Sequence, residues 1–206
     1  MEFQKICIAL LALLVAAMAM VPIVSAADGK TIVDGNIVYV ASASQTQVDK
    51  INELWGSDIT IGEYLTQVHP YLLENMPAEA RKKVFETKWH WPTPEEMETT
   101  TLSTDSSNTD VDCSVFLTSA GSAVNYGGGA LYNNDPAPMI LQSSTYVYDS
   151  VNTVVASTGA MGLYVKRVYA DNQFAPNFHG VFHAQTFGQS TNPDVYGFSD
   201  INYLTW

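Results

Sequence analysis

Two histidines near the end of the chain have a spacing that could support chemistry. His179 and His183 lie in the segment Phe178–Gln185, whose alternating residue types predict a β-strand with both imidazoles on one face. Two histidines on one face could serve as a metal site or an acid/base pair. Four residues of a strand span about 13 Å, however, which is too far for both imidazoles to bind one ion. We therefore expect each histidine to have a structural or surface role.

Other sequence signals of catalysis are weak. The sequence has no G-x-S-x-G nucleophile elbow, and the triplet Gly127–Gly129 lacks the lysine and the helix of a phosphate-binding loop, so a flexible loop or bulge is expected there. The adjacent Glu95 and Glu96 are better explained by a first helical turn, where the helix dipole stabilises carboxylates. No cofactor and no metal site are predicted. The alternative is a secreted hydrolase or metal protein in which His179 or His183 pairs with an acid of the N-terminal region, because catalytic groups are defined by geometry.

Aromatic residues are the second group of candidates. Three adjacent residues with rings lie in the first half of the chain and four more lie near its C-terminus, namely Trp89, His90, Trp91, Tyr196, Phe198, Tyr203 and Trp206. Exposed rings would form a stacking platform for sugars or a surface for a protein partner, whereas buried rings would fix the loop and the C-terminus to the sheet. Burial is the commoner state of tryptophan. The candidate binding residues are therefore Trp89, His90, Trp91, His179 and His183.

The segment 99–110 is rich in Ser, Thr and Asp and contains one apolar residue. Such a segment cannot gain enough from burial to order itself, so a linker or long surface loop is predicted. The alternative is a calcium site, since this region has closely spaced oxygen donors in Asp105, Asn108, Asp110 and Asp112. The spacing of an EF-hand, its glycine and its final glutamate are absent, so the loop is favoured.

The first 26 residues have the parts of a secretory signal peptide. A basic residue precedes the apolar run Ile6–Met20, and Val24–Ala26 precede an expected cut before Ala27 or Asp28. An uncleaved anchor is less favoured, because Pro22 follows an apolar run shorter than the about 20 residues of a spanning helix. We therefore predict a protein that is secreted or at the cell surface, with no membrane segment after cleavage.

The charge balance excludes several kinds of partner. The chain has 21 Asp and Glu against 9 Lys and Arg, a net charge of −12, and the signal peptide contributes one residue of each sign. A nucleic-acid site needs clustered Lys and Arg, as does binding to an anionic membrane. An extracellular protein or a glycan is therefore the expected partner.

Cleavage of the signal would leave Cys113 as the single cysteine, which excludes an intramolecular disulfide. An intermolecular disulfide and a reactive thiol are the functional alternatives. A small buried hydrophobic role is favoured, because Asp110 and Asp112 disfavour a thiolate.

The N-terminal part of the mature chain should be a hairpin followed by helices. Thr31–Val33 and Ile37–Val40 are β-prone runs around a tight turn at Asp34–Asn36. Apolar residues then recur at helical spacing. The signals for helix ends and starts are Gly56, the capping box of Thr60 and Glu63, a break at Pro70 after His69, a start at Pro77 and a short fourth start at Thr93–Glu96.

From Val111 onward the sequence has the pattern of a β-sandwich. Strands are predicted at residues 112–119, 123–126, 139–148, 153–156, 163–171 and 178–187. A four-residue connection, Asp149–Asn152, should form a hairpin, Gly159–Gly162 a turn, and Lys166–Arg167 a bulge. The hairpin around Tyr148 to Ala156, with Gly162–Val165 and the His179 strand, resembles small β-modules of exported microbial proteins, which implies an extracellular β-sandwich and no particular activity.

These observations predict an α+β protein, in which an N-terminal small helical region is followed by an antiparallel β-sandwich. The expected organisation is a signal peptide at 1–26, a hairpin plus helical region at 27–98, a linker at 99–110 and a sandwich domain at 111–206. The expected function is an exported, non-catalytic module that binds a protein partner or belongs to the cell envelope. A carbohydrate-binding module with exposed Trp and Tyr rings is a further alternative.

Overall fold

The computed structural model describes residues 28–33, 35–93 and 110–206. Two short strands and a group of helices precede a set of antiparallel strands, which confirms the predicted α+β fold with its sandwich. The strands are β1 (Gly29–Val33), β2 (Asn36–Ser42), β3 (Val111–Ala120), β4 (Ala123–Tyr132), β5 (Ile140–Tyr148), β6 (Val154–Leu163), β7 (Arg167–Phe174), β8 (Val181–Thr191), β9 (Val195–Phe198) and β10 (Asn202–Thr205). The helices are α1 (Gln45–Leu54), α2 (Ile61–Val68), α3 (Pro70–Glu74) and α4 (Ala78–Glu86).

Several predictions fall on residues outside this description. They are the signal peptide at 1–26, the fourth helix start and Glu95–Glu96, most of the linker at 99–110, and the calcium donors Asp105 and Asn108. The other two calcium donors are engaged with side chains: Asp110 Oδ1 accepts a hydrogen bond from Asn134 (2.5 Å), and Asp112 Oδ2 accepts one from Asn133 (2.9 Å).

The N-terminal hairpin adds two strands to the larger of the two sheets. β1 and β2 pair antiparallel with Val33 opposite Asn36, and Gly35 has a φ of +82°, as a tight turn requires. β2 then pairs with β6, so that Val40 lies opposite Ala160. The first and last strands of the described residues, β1 and β10, therefore belong to one sheet.

The described helices begin and end at or next to the residues that the sequence indicated. Thr60 caps α2, because its Oγ1 accepts a hydrogen bond from the backbone N–H of Glu63 and its own N–H donates to the Glu63 carboxylate. Pro70 separates α2 from α3 after His69, and Pro77 directly precedes α4. Within the described residues, no helix is long and apolar enough to cross a membrane.

Two antiparallel sheets form the sandwich. The large sheet has seven strands in the order β1-β2-β6-β5-β8-β10, with β9 also paired to β8, and the small sheet has the order β3-β4-β7. The helices cover the outer face of the large sheet, where Tyr64 and Leu65 of α2 pack with Tyr146, Met161 and Phe187. The inner face of the large sheet packs on the small sheet.

Three predicted turns or bulges proved to be strand or crossover. Gly127–Gly129 form the middle of β4, hydrogen-bonded to strands on both sides, where a side chain would collide with neighbouring strands. Gly159–Gly162 lie inside β6, which is covered on both faces and therefore built from small residues. The predicted bulge at Lys166–Arg167 lies where the crossover from β6 of the large sheet ends and β7 of the small sheet begins. The predicted hairpin between β5 and β6 is confirmed, and Asp149 Oδ1 accepts hydrogen bonds from the N–H groups of Val151 and Thr153.

Candidate functional site

The two tryptophans among the candidate binding residues are part of the core. Trp89 is 5% exposed and stacks on Tyr64 with ring centroids 3.8 Å apart, and Trp91 is 8% exposed and donates its Nε1–H to the carbonyl oxygen of Ser57 at 2.9 Å. Their rings lie at 68° to each other. The hypothesis that these two rings form an exposed platform is therefore wrong, because both rings fill the space between the helices and the large sheet.

His90 lies between them in sequence but contacts a different part of the molecule. Its imidazole stacks on Tyr196 of β9, with centroids 3.7 Å apart and planes 17° apart, and it also contacts Phe187 and Phe198. The stacking places the 88–90 segment over the β8–β9 hairpin. One face of the Tyr196 ring is thus covered, while the residue as a whole stays 41% exposed.

Gln189 of β8 holds this arrangement together. Its side chain is buried, and its Nε2 donates to the carbonyl oxygen of Lys88 (2.8 Å) and to Asp194 Oδ1 (3.1 Å), while its Oε1 accepts a weaker bond from the N–H of His90 (3.4 Å). The Gln189 amide therefore holds the backbone of residues 88–90 in a fixed position relative to the Asp194 carboxylate of the β8–β9 hairpin.

These residues surround a cavity of about 140 Å³, which we call the hairpin pocket; it is lined by Lys88, Trp89, His90, Gln189, Asp194 and Tyr196. Lys88 Nζ lies 2.8 Å from Asp58 Oδ1, so its charge is balanced. Asp194 accepts the Gln189 bond on Oδ1, and its Oδ2 has no protein partner within 28–33, 35–93 and 110–206. The pocket therefore combines aromatic rings with an unbalanced carboxylate.

The remaining two candidate residues do not reach this pocket. His179 is exposed and precedes β8, which begins at Val181, so the predicted strand that placed both histidines on one face starts too early. His183 is half-buried on β8 and stacks on Tyr148, with centroids 4.9 Å apart, and burial lowers its pKa. The structure therefore does not place the two imidazoles on one face of a shared strand.

The arrangement required by the hydrolase alternative is not found in the described part of the chain. Neither His179 nor His183 is hydrogen-bonded to a carboxylate there, although the charge of Asp149 partly opposes the lowering of the His183 pKa. Among the same residues, no group of three His, Cys, Asp or Glu side chains is placed to hold a metal ion.

Cys113 lies between the sheets. Its Sγ donates to the carbonyl oxygen of Gly197 at 3.3 Å, and it packs against an apolar cluster to which both sheets contribute. Burial raises the pKa of the thiol, with a smaller contribution from Asp112. The thiolate that a reactive cysteine needs is therefore disfavoured.

A second aromatic surface lies on the outer face of the small sheet. The rings of Phe116 and Tyr169 come from the two outer strands, with centroids 6.4 Å apart and planes 15° apart, across the central Gly127 and Gly129. Neither glycine offers a side chain between them. The result is a strip with two nearly parallel rings on either side of the glycine triplet, for which the sequence had suggested a loop or bulge.

The sequence identified part of the hairpin pocket. Trp89, His90 and Tyr196 were among the aromatic candidates, but Gln189 and Asp194 carry no motif and were missed. The hydrogen bonds of the Gln189 side chain to the backbone of Lys88 and His90 bring the two segments together, and contacts between residues about a hundred positions apart leave no local signal in the sequence.

No family model matches the sequence, and a search of curated proteins gives no match. Solved structures give weak similarity. The CARDB domain of PF1109 from Pyrococcus furiosus, solved in complex with di-metal ions, is 8% identical with a TM-score of 0.37 and covers 47% of this chain and 87% of its own. CsgH from R. palustris is 15% identical with a TM-score of 0.29 and covers 46% of this chain and 91% of its own. Both are small β-sandwich domains, and neither similarity assigns a ligand or partner.

Proposed function

We propose that this protein is an exported, non-catalytic module that binds a partner outside the cytoplasm through the hairpin pocket. The observation that carries the proposal is the hydrogen-bond network of Gln189, whose side-chain amide bonds to Lys88, His90 and Asp194. Groups fixed in this way are preorganised for binding, since their positions need not be ordered when a ligand arrives.

The setting of the pocket supports a binding role. The rings of Trp89 and His90 are anchored on buried residues of the core, and Tyr196 lies on a strand paired with β8. Aromatic side chains on rigid elements are common anchors of protein interfaces. A partner that contacts Tyr196 and Asp194 would therefore meet a surface that needs little rearrangement.

Export is the first part of the proposal to test. The full chain is produced in a host with a secretory pathway, and the product is recovered from the medium and the envelope. Intact-mass measurement should show a chain that begins at Ala27 or Asp28. A full-length chain in the membrane fraction would contradict the proposal.

The binding site is tested with peptides selected from a displayed library against the exported protein. In NMR spectra, selected peptides should shift amide signals of residues 88–90 and 189–196, and Tyr196→Ala should abolish binding. Tyr203→Ala is the matched control, because Tyr203 is an exposed tyrosine on β10, outside the pocket. Failure to select any peptide, or binding that is lost in Tyr203→Ala and kept in Tyr196→Ala, would refute the pocket as the site.

Carbohydrate binding is the second candidate function, and the parallel rings of Phe116 and Tyr169 favour it. Sugars stack on exposed aromatic faces, and Asp171, Asn125 and Gln173 border this strip with polar groups. A glycan array probed with the wild type and with Tyr169→Ala tests it, with Tyr203→Ala as the control. Signals that Tyr169→Ala removes would support this function, and an array without signals would contradict it.

A further inference from the structure

The hairpin pocket carries an unbalanced negative charge. Lys88 is already paired with Asp58 at 2.8 Å, while Asp194 shares only its Oδ1, with the neutral amide of Gln189. The chain as a whole has a net charge of −12, which attracts cations at long range. From this charge, together with the rings, we infer that the pocket takes a cationic side chain of the partner, a lysine or an arginine. The inference rests on the proposed function and names its ligand class.

The aromatic wall fits the same ligand. Tyr196 is 41% exposed, and His90 stacks on one face of its ring at 3.7 Å, which leaves phenol surface open beside the Asp194 carboxylate. A cation beside the face of a tyrosine ring gains from the ring quadrupole. A lysine or arginine can therefore contact the ring with its stem or head and pair with Asp194 Oδ2.

A polyol fits the pocket less well. Sugar hydroxyls need several free donors and acceptors, and the polar groups here are largely occupied: both hydrogens of Gln189 Nε2 are donated, and Lys88 is paired. The free oxygen of Asp194 can accept a few hydrogen bonds, which is sufficient for one ammonium or guanidinium group. The hydrogen-bonding capacity of the pocket therefore matches a single cationic head better than a ring of hydroxyls.

The test is an NMR titration of the exported protein with N-acetyl-lysine methylamide. N-acetyl-norleucine methylamide serves as the neutral comparator and N-acetyl-glutamate methylamide as the anionic one. The lysine compound should shift the amides of residues 88–90 and 189–196 and the indole N–H of Trp89, whose ring lines the pocket. Its affinity should exceed that of both comparators by about tenfold and should fall with added salt.

Substitutions at two positions separate the contribution of the charge from that of the ring. Asp194→Asn keeps an oxygen that can accept from Gln189 and removes the charge, so it should weaken lysine binding about tenfold. Tyr196→Phe should bind normally and Tyr196→Leu should not, because the ring face and not the hydroxyl makes the contact. Asp171→Asn, at an exposed carboxylate of the small sheet, should change nothing.

The outcomes separate this inference from the proposed function. Equal binding of the lysine and norleucine compounds, or unchanged binding in Asp194→Asn, would overturn the cationic ligand while selected peptides could still map to the pocket. Selected peptides that bind elsewhere would refute the pocket itself.

Discussion

Gln189 is the residue on which the hairpin pocket depends. It is 2% exposed, and its amide hydrogen-bonds to two backbone groups and one carboxylate. Leucine is similar in size to glutamine, but Gln189→Leu leaves the Lys88 carbonyl and the His90 N–H without this partner. The substitution should therefore lower the free energy of unfolding by about 2 kcal/mol. Urea unfolding measures the change.

The control for this prediction is Gln173→Leu. Gln173 is an exposed residue of β7, so its replacement should change stability by less than about 0.5 kcal/mol. Equal effects of the two substitutions would show that the amide network contributes nothing beyond the general cost of placing a leucine in a strand.

His69 makes stability depend on pH. It is 1% exposed at the junction of α2 and α3, and neither ring nitrogen has a hydrogen-bond partner among the described residues. Burial lowers its pKa from 6.5 to about 4. Between these values the unfolded chain binds the proton and the folded one does not, so stability is full above pH 6.5 and falls as the pH is lowered towards 4. The loss from this residue is about 3 kcal/mol.

Unfolding by urea at several pH values between 4 and 7.5 tests this prediction. His69→Gln should reduce the dependence of stability on pH, whereas His179→Gln, at an exposed histidine, should retain it. If the wild type and His69→Gln lose stability in parallel, the imidazole of His69 does not titrate as its burial implies.

At the residue scale, adjacency in sequence grouped Trp89 and His90 among the aromatic candidates but did not reveal that their rings stack on different residues. Trp89 packs on Tyr64 of α2, and His90 packs on Tyr196 of β9. The environment of each ring could not be predicted, because it depends on elements far away in sequence.

At the scale of the elements, β4 shows why a glycine triplet need not be a loop. A Cβ atom at position 128 would overlap Thr186 Oγ1 of β8 and the carbonyl oxygen of Ser114. The strand therefore uses glycine where the two sheets approach closely. Gly128→Ala should lower the free energy of unfolding by about 3 kcal/mol, because the overlap forces the sheets or side chains to shift.

Gly180→Ala is the matched control for this substitution. A Cβ atom there would lie 3.5 Å from the ring of Phe178, which is an ordinary contact. Thermal or urea unfolding should show little change in this variant. A Gly128→Ala protein as stable as Gly180→Ala would mean that the packing at β4 is looser than the structure implies.

The elements that were predicted well have local causes. The capping box of Thr60 and Glu63 and the break at Pro70 act within a few residues, so the helix ends are visible in the sequence. The strands β4 and β6 lack such local signals, because their small residues are required by close packing against the opposite sheet or the helices. Their glycines were therefore interpreted as turns.

At the scale of the whole molecule, the helical region and the sandwich share one sheet and one core. β2 pairs with β6, and the cluster around Tyr64 contains residues of α2, β5, β6 and β8. Asn52 of α1 also donates to the carbonyl oxygen of Val154 and accepts from its N–H, at 2.9 and 3.0 Å. Neither part can lose its structure without exposing apolar surface of the other, so both should unfold together.

Two optical probes test this cooperativity, because they report on different parts. Trp55, Trp89 and Trp91 lie between the helices and the large sheet, so tryptophan fluorescence reports mainly on that layer, whereas far-UV circular dichroism is dominated by the strands of both sheets. Both signals should change at the same urea concentration with the same slope. Met161→Ala, which removes a buried side chain of β6 beneath the helices, should shift both transitions equally. A fluorescence transition that precedes the circular dichroism transition, or that alone responds to Met161→Ala, would show that the helical region unfolds on its own and that the shared sheet does not couple the two.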